Sequence, residues 1–236
     1  MEGITIIGTS HIARQSIREV KEAIEKVKPD IVALELDRQR LPALLRKDHR
    51  GPRMSDIGRV GLKGYFFALL GSWAERRLGE SVGVKPGEEM KAAYRLARKK
   101  GIAVALIDQD ISITLQRLSK SITWKEKFRF LGDVLKGLFG GKPEFIFDLS
   151  TVPEEEIIKK MIARIRDRYP TIYRVLIEER NQAMTRNLTR LRQENPDKRI
   201  LAIVGAGHKD DLREALDKGN ISITYSLPKG MSLVLE

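Results

Sequence analysis

Four short apolar runs constrain this chain more than anything else in it. They are residues 4–7, 31–36, 102–107 and 200–204, and helical periodicity fills most of what lies between them. Runs of this length, apolar at nearly every position, are strands buried on both faces. After the first run, Ser10 can cap a helix whose apolar positions, Ile17, Val20, Ile24 and Val27, share one stripe, and Lys28-Pro29-Asp30 ends it. A strand, a helix and a second strand in that order predict a parallel pair joined by a right-handed crossover. The expected class is therefore α/β: a largely parallel central sheet with helices on both sides and a large helical insertion.

The rest of the chain supplies the helices. Residues 38–48 predict a short helix, Gly51-Pro52 a turn, and 57–78 an apolar helix containing Tyr65, Phe66, Phe67, Leu69 and Leu70. The uncharged part of that helix, 64–74, is too short to cross a bilayer. Pro86 opens a helix over 87–100 and Gly101 ends it. Residues 111–195 read as helical almost throughout. Segment 124–139 is amphipathic and basic, Pro153-Glu154-Glu155-Glu156 starts a further helix, and a long helix over 171–194 stops at Asn195-Pro196. A helix over 208–217 and strands at 221–225 and 232–235 complete the chain. The expectation is one α/β domain over 1–236, with helical insertions at about 38–86 and 111–195.

Composition narrows the chemistry. The absence of cysteine excludes disulfides and thiolate metal sites, so any metal must be held by His, Asp, Glu or water. Met1-Glu2-Gly3-Ile4 lacks the basic and apolar regions of a secretory signal, which makes the cytoplasm the expected location. The net charge is +12, and residues 38–63 alone carry eight Lys/Arg against two Asp/Glu. A solvated basic face explains that segment, and an anionic membrane surface is the partner it would also suit. No recognition helix, RNA-binding motif or interleaved aromatics point to nucleic acid.

Two of the three histidines sit in one repeated pattern. Gly8-Thr9-Ser10-His11 follows the first apolar run, and Gly205-Ala206-Gly207-His208 follows the fourth. A strand, a glycine turn and a histidine present an imidazole at the carboxyl edge of an open sheet, where ligands bind. The two ends of the chain are thus expected to meet at one site. His there supplies a metal-binding nitrogen or a proton shuttle. Glu35 stands near the end of the second run and is costly to bury unless paired or bound to a cation. Asp108 and Asp110 follow the third run at the same edge, and either can cap the next helix. Glu88 and Glu89 occupy the first turn of their helix, and periodicity does not choose between them. Arg180 falls on the apolar stripe Leu176, Met184, Leu188, so it needs a carboxylate partner or an anionic ligand.

These residues also carry a resemblance. The chain resembles the TraB/PrgY family of pheromone-shutdown proteins and the related Tiki and GumN-like proteins. The matching pieces, in family order over residues 8–208, include both Gly-x-x-His motifs, Leu34-Glu35-Leu36-Asp37, Gly87-Glu88-Glu89-Met90, Leu106-Ile107-Asp108-Gln109-Asp110 and Glu179-Arg180-Asn181-Gln182-Ala183-Met184. Many relatives carry Arg between the two aspartates, where this chain has Gln109, and many continue into C-terminal membrane helices. The resemblance implies a fold similar to erythromycin esterase-like and ChaN-like proteins and a metal-dependent protease activity. It maps the family histidines onto His11 and His208, the family glutamate onto Glu89, and the Glu-Arg-Asn motif onto Arg180 and Asn181.

The leading expectation is metal-assisted hydrolysis of a peptide bond. His11 and His208, with Glu35 or Glu89, would hold a divalent Mn, Co or Zn ion, and the other carboxylate would act as base. Arg180 would stabilise an oxyanion or a substrate carboxylate. A metal-independent hydrolase would instead use one histidine as base beside Glu35. A non-catalytic module that sequesters peptides is the third option, and the apolar helix 57–78 could equally be buried in a homodimer.

Overall fold

The computed structural model describes residues 3–9, 14–46, 58, 87–138 and 154–218. The four expected strands are there: β1 Ile4–Thr9, β2 Ile31–Leu34, β3 Ala103–Leu106 and β4 Ile200–Gly205. Among the described residues they form one all-parallel sheet in the order β1-β4-β2-β3. The strands expected at 221–225 and 232–235, and all but Gly58 of the helix expected over 57–78, lie outside the described residues. Among the described residues no helix is long and apolar enough to cross a membrane.

Every residue of β2 and β4 is buried, which is why these strands read as unbroken apolar runs. Their side chains alternate between two layers. Val32, Leu34, Leu201 and Ile203 pack against Val20 and Ile24 of α1 (Arg14–Val27) and Met90, Ala93 and Ala97 of α3 (Glu88–Lys99). Ile31, Ala33, Ile200, Ala202 and Val204 face the other way. They meet Met184, Leu188 and Leu191 of α8 (Glu179–Glu194) and Leu212 and Leu216 of α9 (Ala206–Asp217). The sheet is therefore covered on both sides, as expected. The connections β1–α1–β2 and β2–α3–β3 advance across the sheet with their helices on one face. The return from β3 to β4 runs the opposite way and brings α8 to the other face, as a right-handed crossover requires when direction reverses.

Between these elements lie α2 (Arg40–Leu45), α4 (Ile111–Ser121), α5 (Trp124–Leu138), α6 (Glu154–Arg168) and α7 (Pro170–Tyr173). The long helix expected over 171–194 is not uniform. A π-helical turn, Arg174–Glu178, separates α7 from α8, with the Glu179 N–H reaching back five residues to the Arg174 carbonyl. Periodicity conceals such a turn, because one wide turn shifts the stripe by only one residue.

One buried carboxylate joins the insertion together. Thr123 and Glu126 form a capping box on α5. Glu126 N–H donates to Thr123 Oγ1 at 3.2 Å, and Thr123 N–H and O–H donate to Glu126 Oε2 at 3.1 and 2.9 Å. Glu126 Oε1 accepts from Thr171 N–H of α7 at 2.7 Å. Burial works to raise this carboxyl, but the hydrogen bonds from Thr171 and Thr123 outweigh it and hold it below its ordinary value. A carboxyl lowered on folding stabilises above its unfolded pKa, and that contribution fades as pH falls through the folded value. Glu126→Ala is expected to cost about 2 kcal/mol in urea unfolding at neutral pH, with the deficit shrinking below about pH 4. An equal deficit in neutral and acidic buffer would rule out the ionised carboxylate as its source.

Candidate active site

The carboxyl ends of β2 and β4 lie side by side, with Leu34 opposite Ile203. Chain leaving β2 leads to α3 on one face, and chain leaving β4 leads to α9 on the other. This divergence opens the crevice in which open α/β sheets bind ligands. Glu35 is the first residue past β2, and its N–H still bonds Ile203 O at 3.0 Å. It continues the parity of Ile31 and Ala33, so its side chain turns toward the α8 and α9 layer. It does not reach solvent past the strand end, being only 5% exposed.

Glu35 is instead surrounded by donors. Its Oε2 accepts from the Gly205 N–H, where β4 passes into α9, at 2.6 Å, and its Oε1 accepts from Arg180 Nη2. Arg180 Nη2 also donates to Asp108 Oδ2 at 2.7 Å, and its Nε lies 3.1 and 3.2 Å from the two Asp108 oxygens. The misfit arginine on the apolar stripe therefore has the carboxylate partner that its position required. Burial opposes the Arg180 charge, but Glu35 and Asp108 outweigh it and raise the group above the usual arginine range. The π-helical turn just before α8 contributes as well: its Leu176 carbonyl accepts from Arg180 Nη1 at 3.2 Å.

His208 completes the cluster. The helix expected from His208 starts two residues earlier, at Ala206 with Gly205 as its N-terminal cap, so no glycine turn precedes His208 and it lies in the first turn of α9. Its Nε2 is 3.4 Å from Glu35 Oε1 and 3.2 Å from Arg180 Nη1. Its Nδ1 is 2.6 Å from Asn181 Oδ1. Asn181 Nδ2 donates in turn to Asp211 Oδ2 at 2.8 Å. Burial and the neighbouring Glu214 and Asp210 raise the Asp211 carboxyl, against the lowering effect of the Asn181 amide.

The remaining expected residues are placed less centrally. Asp110 accepts from Ser112 N–H at 2.8 Å as the cap of α4, the capping role foreseen for it, and also from Gln39 Nε2 at 2.8 and 2.7 Å. Glu89 is 1% exposed in the first turn of α3, whereas Glu88 pairs with Lys91 at 3.2 Å, so burial separates two residues that periodicity left equivalent. Because α3 returns antiparallel to the strands it connects, its first turn lies at the same sheet edge as Glu35. Gly87 opens it at a φ of 85°, a conformation that glycine adopts without strain. His11 lies outside the described residues.

The chain around the two glycine–histidine motifs does converge. Thr9 pairs with Gly205, and a Cβ on Gly8 would stand 3.1 Å from the Ala206 backbone, so β1 and α9 approach as closely as glycine permits. Four further residues join the site. Asp37 accepts from the Gln39 and Arg40 N–H groups at 2.7 and 3.0 Å and from Arg40 Nε at 2.7 Å, and Arg40 Nη2 donates to Asp108. Asn187 ties α8 to the end of β3 through the Ile107 carbonyl at 2.7 Å, and Asp211 holds Asn181. Arg40 belongs to the basic segment 38–63, and charge counting does not reveal that it turns inward to Asp108. Gln109 bonds Thr114 Oγ1 at 3.0 Å, and the guanidinium groups on Asp108 come from Arg40 and Arg180.

The described donors do not by themselves make a metal site. The cation between the Glu35 and Asp108 carboxylates is the Arg180 guanidinium. Among the described residues no three His, Asp or Glu side chains converge to hold an ion.

An all-parallel sheet with a charged cluster in its diverging crevice defines, among the described residues, an α/β protein with a strand-end site. The chain belongs to the TraB/PrgY/gumN family, whose model matches residues 2–222. It is 34% identical over 220 residues to an uncharacterised protein of Methanocaldococcus jannaschii, covering 91% of this chain and 53% of that one. It is 23% identical to TraB domain-containing proteins of Mus musculus and Homo sapiens, over 87% of this chain and 60% of each relative. The chain thus spans little more than half the length of the curated relatives it matches.

Proposed function

We propose that the chain is a hydrolase of peptide or related acyl bonds in which the His208 imidazole is the general base. One observation carries this reading. Asn181 occupies Nδ1, which leaves the Nε2 lone pair to accept from Arg180 Nη1 at 3.2 Å, with Glu35 Oε1 3.4 Å from the same nitrogen. On taking a proton from water, Nε2 acquires an N–H that the Glu35 carboxylate can accept, so the imidazolium has a partner in place. Arg180 Nη1 lies beside the same nitrogen and is a cation within reach of an oxyanion formed there. Asn181 orients the imidazole. The choice of a peptide substrate rests on the family likeness.

A metal-assisted version of the same hydrolysis is the second reading, favoured by the 3.4 Å approach of His208 Nε2 to Glu35 Oε1. Those atoms, with His11 and Glu89, would be the ligands of an Mn, Co or Zn ion. One experiment separates the two. A panel of peptide and ester substrates is assayed with wild-type protein, with chelator-treated protein, and after adding back each ion. Turnover that survives chelation and is lost in His208→Gln supports the metal-free reading. Turnover lost on chelation and restored by one ion supports the other. Peptide binding without turnover, or turnover unchanged in His208→Gln, would overturn both.

A further inference from the structure

We propose that Asp211, acting through Asn181, biases His208 toward its Nδ1–H tautomer. The proposal rests on the reading of His208 as base, because only the Nδ1–H tautomer keeps a lone pair on Nε2. Arg180 Nη1, which only donates, and Glu35 Oε1, which only accepts, both face Nε2 and pull its proton in opposite senses, and Asn181 alone does not settle the balance. A side-chain amide presents an oxygen on one side and an NH₂ on the other, and it can turn either way. With its oxygen toward Nδ1 it receives the Nδ1 proton. Turned over, it would donate to Nδ1 and place the ring proton on Nε2, where the reaction needs a lone pair.

Asp211 removes that degeneracy. An ionised carboxylate only accepts, so it draws Nδ2 of Asn181 toward itself at 2.8 Å. The amide oxygen is then left pointing at His208 Nδ1, 2.6 Å away. The geometry is built into one helix face: Asp211 follows His208 by three residues on α9, and Asn181 sits beside Arg180 on α8. The amide backbone is itself held, since its carbonyl accepts from Thr185 Oγ1 at 2.7 Å. Asp211 touches neither the imidazole nor Glu35 in any described contact; it acts through Asn181 and is a positioning residue.

The neighbouring Asp210 is the internal control. It has the same charge on the same helix, but it pairs with Lys159 of α6 at 3.0 Å and does not hold the amide. Asp211 is exposed as a residue, so its truncation leaves the buried faces of α9 intact.

The test is ¹⁵N NMR of the imidazole nitrogens at about pH 8.5, above the ordinary histidine range, with no substrate present. The chain has three histidines, and His208→Gln identifies the His208 signals by difference. Wild type is expected to show the Nδ1–H form. Asp211→Ala is expected to lower the ratio of Nδ1–H to Nε2–H about fivefold, the effect of one ordinary hydrogen bond. Asp211→Asn, which keeps an acceptor oxygen, is expected to recover most of it, and Asp210→Ala to leave it unchanged. An unchanged ratio in Asp211→Ala, or an equal change in Asp210→Ala, would overturn the inference. Because the readout needs no turnover, a tautomer that follows Asp211 in a protein without hydrolytic activity would sink the functional reading and leave this one standing. Turnover dependent on His208 with a ratio indifferent to Asp211 would do the reverse.

Discussion

Arg180→Leu is expected to lower the unfolding free energy by about 3–5 kcal/mol, measured by urea denaturation. The variant would leave Glu35 and Asp108, both buried, with the cation between them gone. Asp108 keeps Arg40 and Glu35 keeps the Gly205 N–H, which is why the expected loss is not larger. The pH dependence follows from the direction of the Arg180 shift. A group raised on folding contributes fully below its unfolded pKa and loses that contribution only as pH climbs through the folded value. Both lie in strong alkali, so the deficit is expected to stay level between about pH 6 and about pH 9. Replacing Glu35 as well should recover part of the loss, because an unpaired buried charge costs more than an absent pair. A single variant within about 1 kcal/mol of wild type would mean that the cluster does not depend on its guanidinium.

The second large effect is on rate. His208→Gln is expected to lower kcat by about 10²–10⁴, the usual contribution of a positioned base, with KM much less affected. Glutamine can still bond Asn181 and Glu35 but cannot take a proton at neutral pH. Urea unfolding of the same variant checks that the loss is chemical: its stability should fall by far less than that of Arg180→Leu. A kcat within about tenfold of wild type would remove His208 from the role of base.

Much of the fold was legible in the residues. The runs at 31–36 and 200–204 became central strands because nothing in them could face water, apart from Glu35 near the end of its run. The stripe of Val20 and Ile24 placed α1 on the sheet for the same reason. Of the site, Glu35 and Arg180 were readable as anomalies, one charged group at the end of a buried strand and another on a buried helix stripe. Such groups need partners, and the structure pairs the two with each other.

Other parts were not readable. Arg40 lies in a basic surface-like stretch, and only the position of β3 beside β2 brings Asp108 within its reach. The π-helical turn before Glu179 leaves no mark on the pattern of apolar residues. Glu88 and Glu89 were equivalent until burial separated them.

The sequence by itself determined the class of sheet, the layers around it and the edge at which polar residues collect. Local periodicity and the cost of burying charge are properties of neighbouring residues, so they survive without coordinates. Only the tertiary structure decided which groups touch. The strand order placed β4 between β1 and β2, which set His208 against Glu35 and turned Asp211, through Asn181, toward the imidazole. Contacts between residues so far apart in the chain depend on crossover direction and helix register, and no short stretch of sequence encodes either.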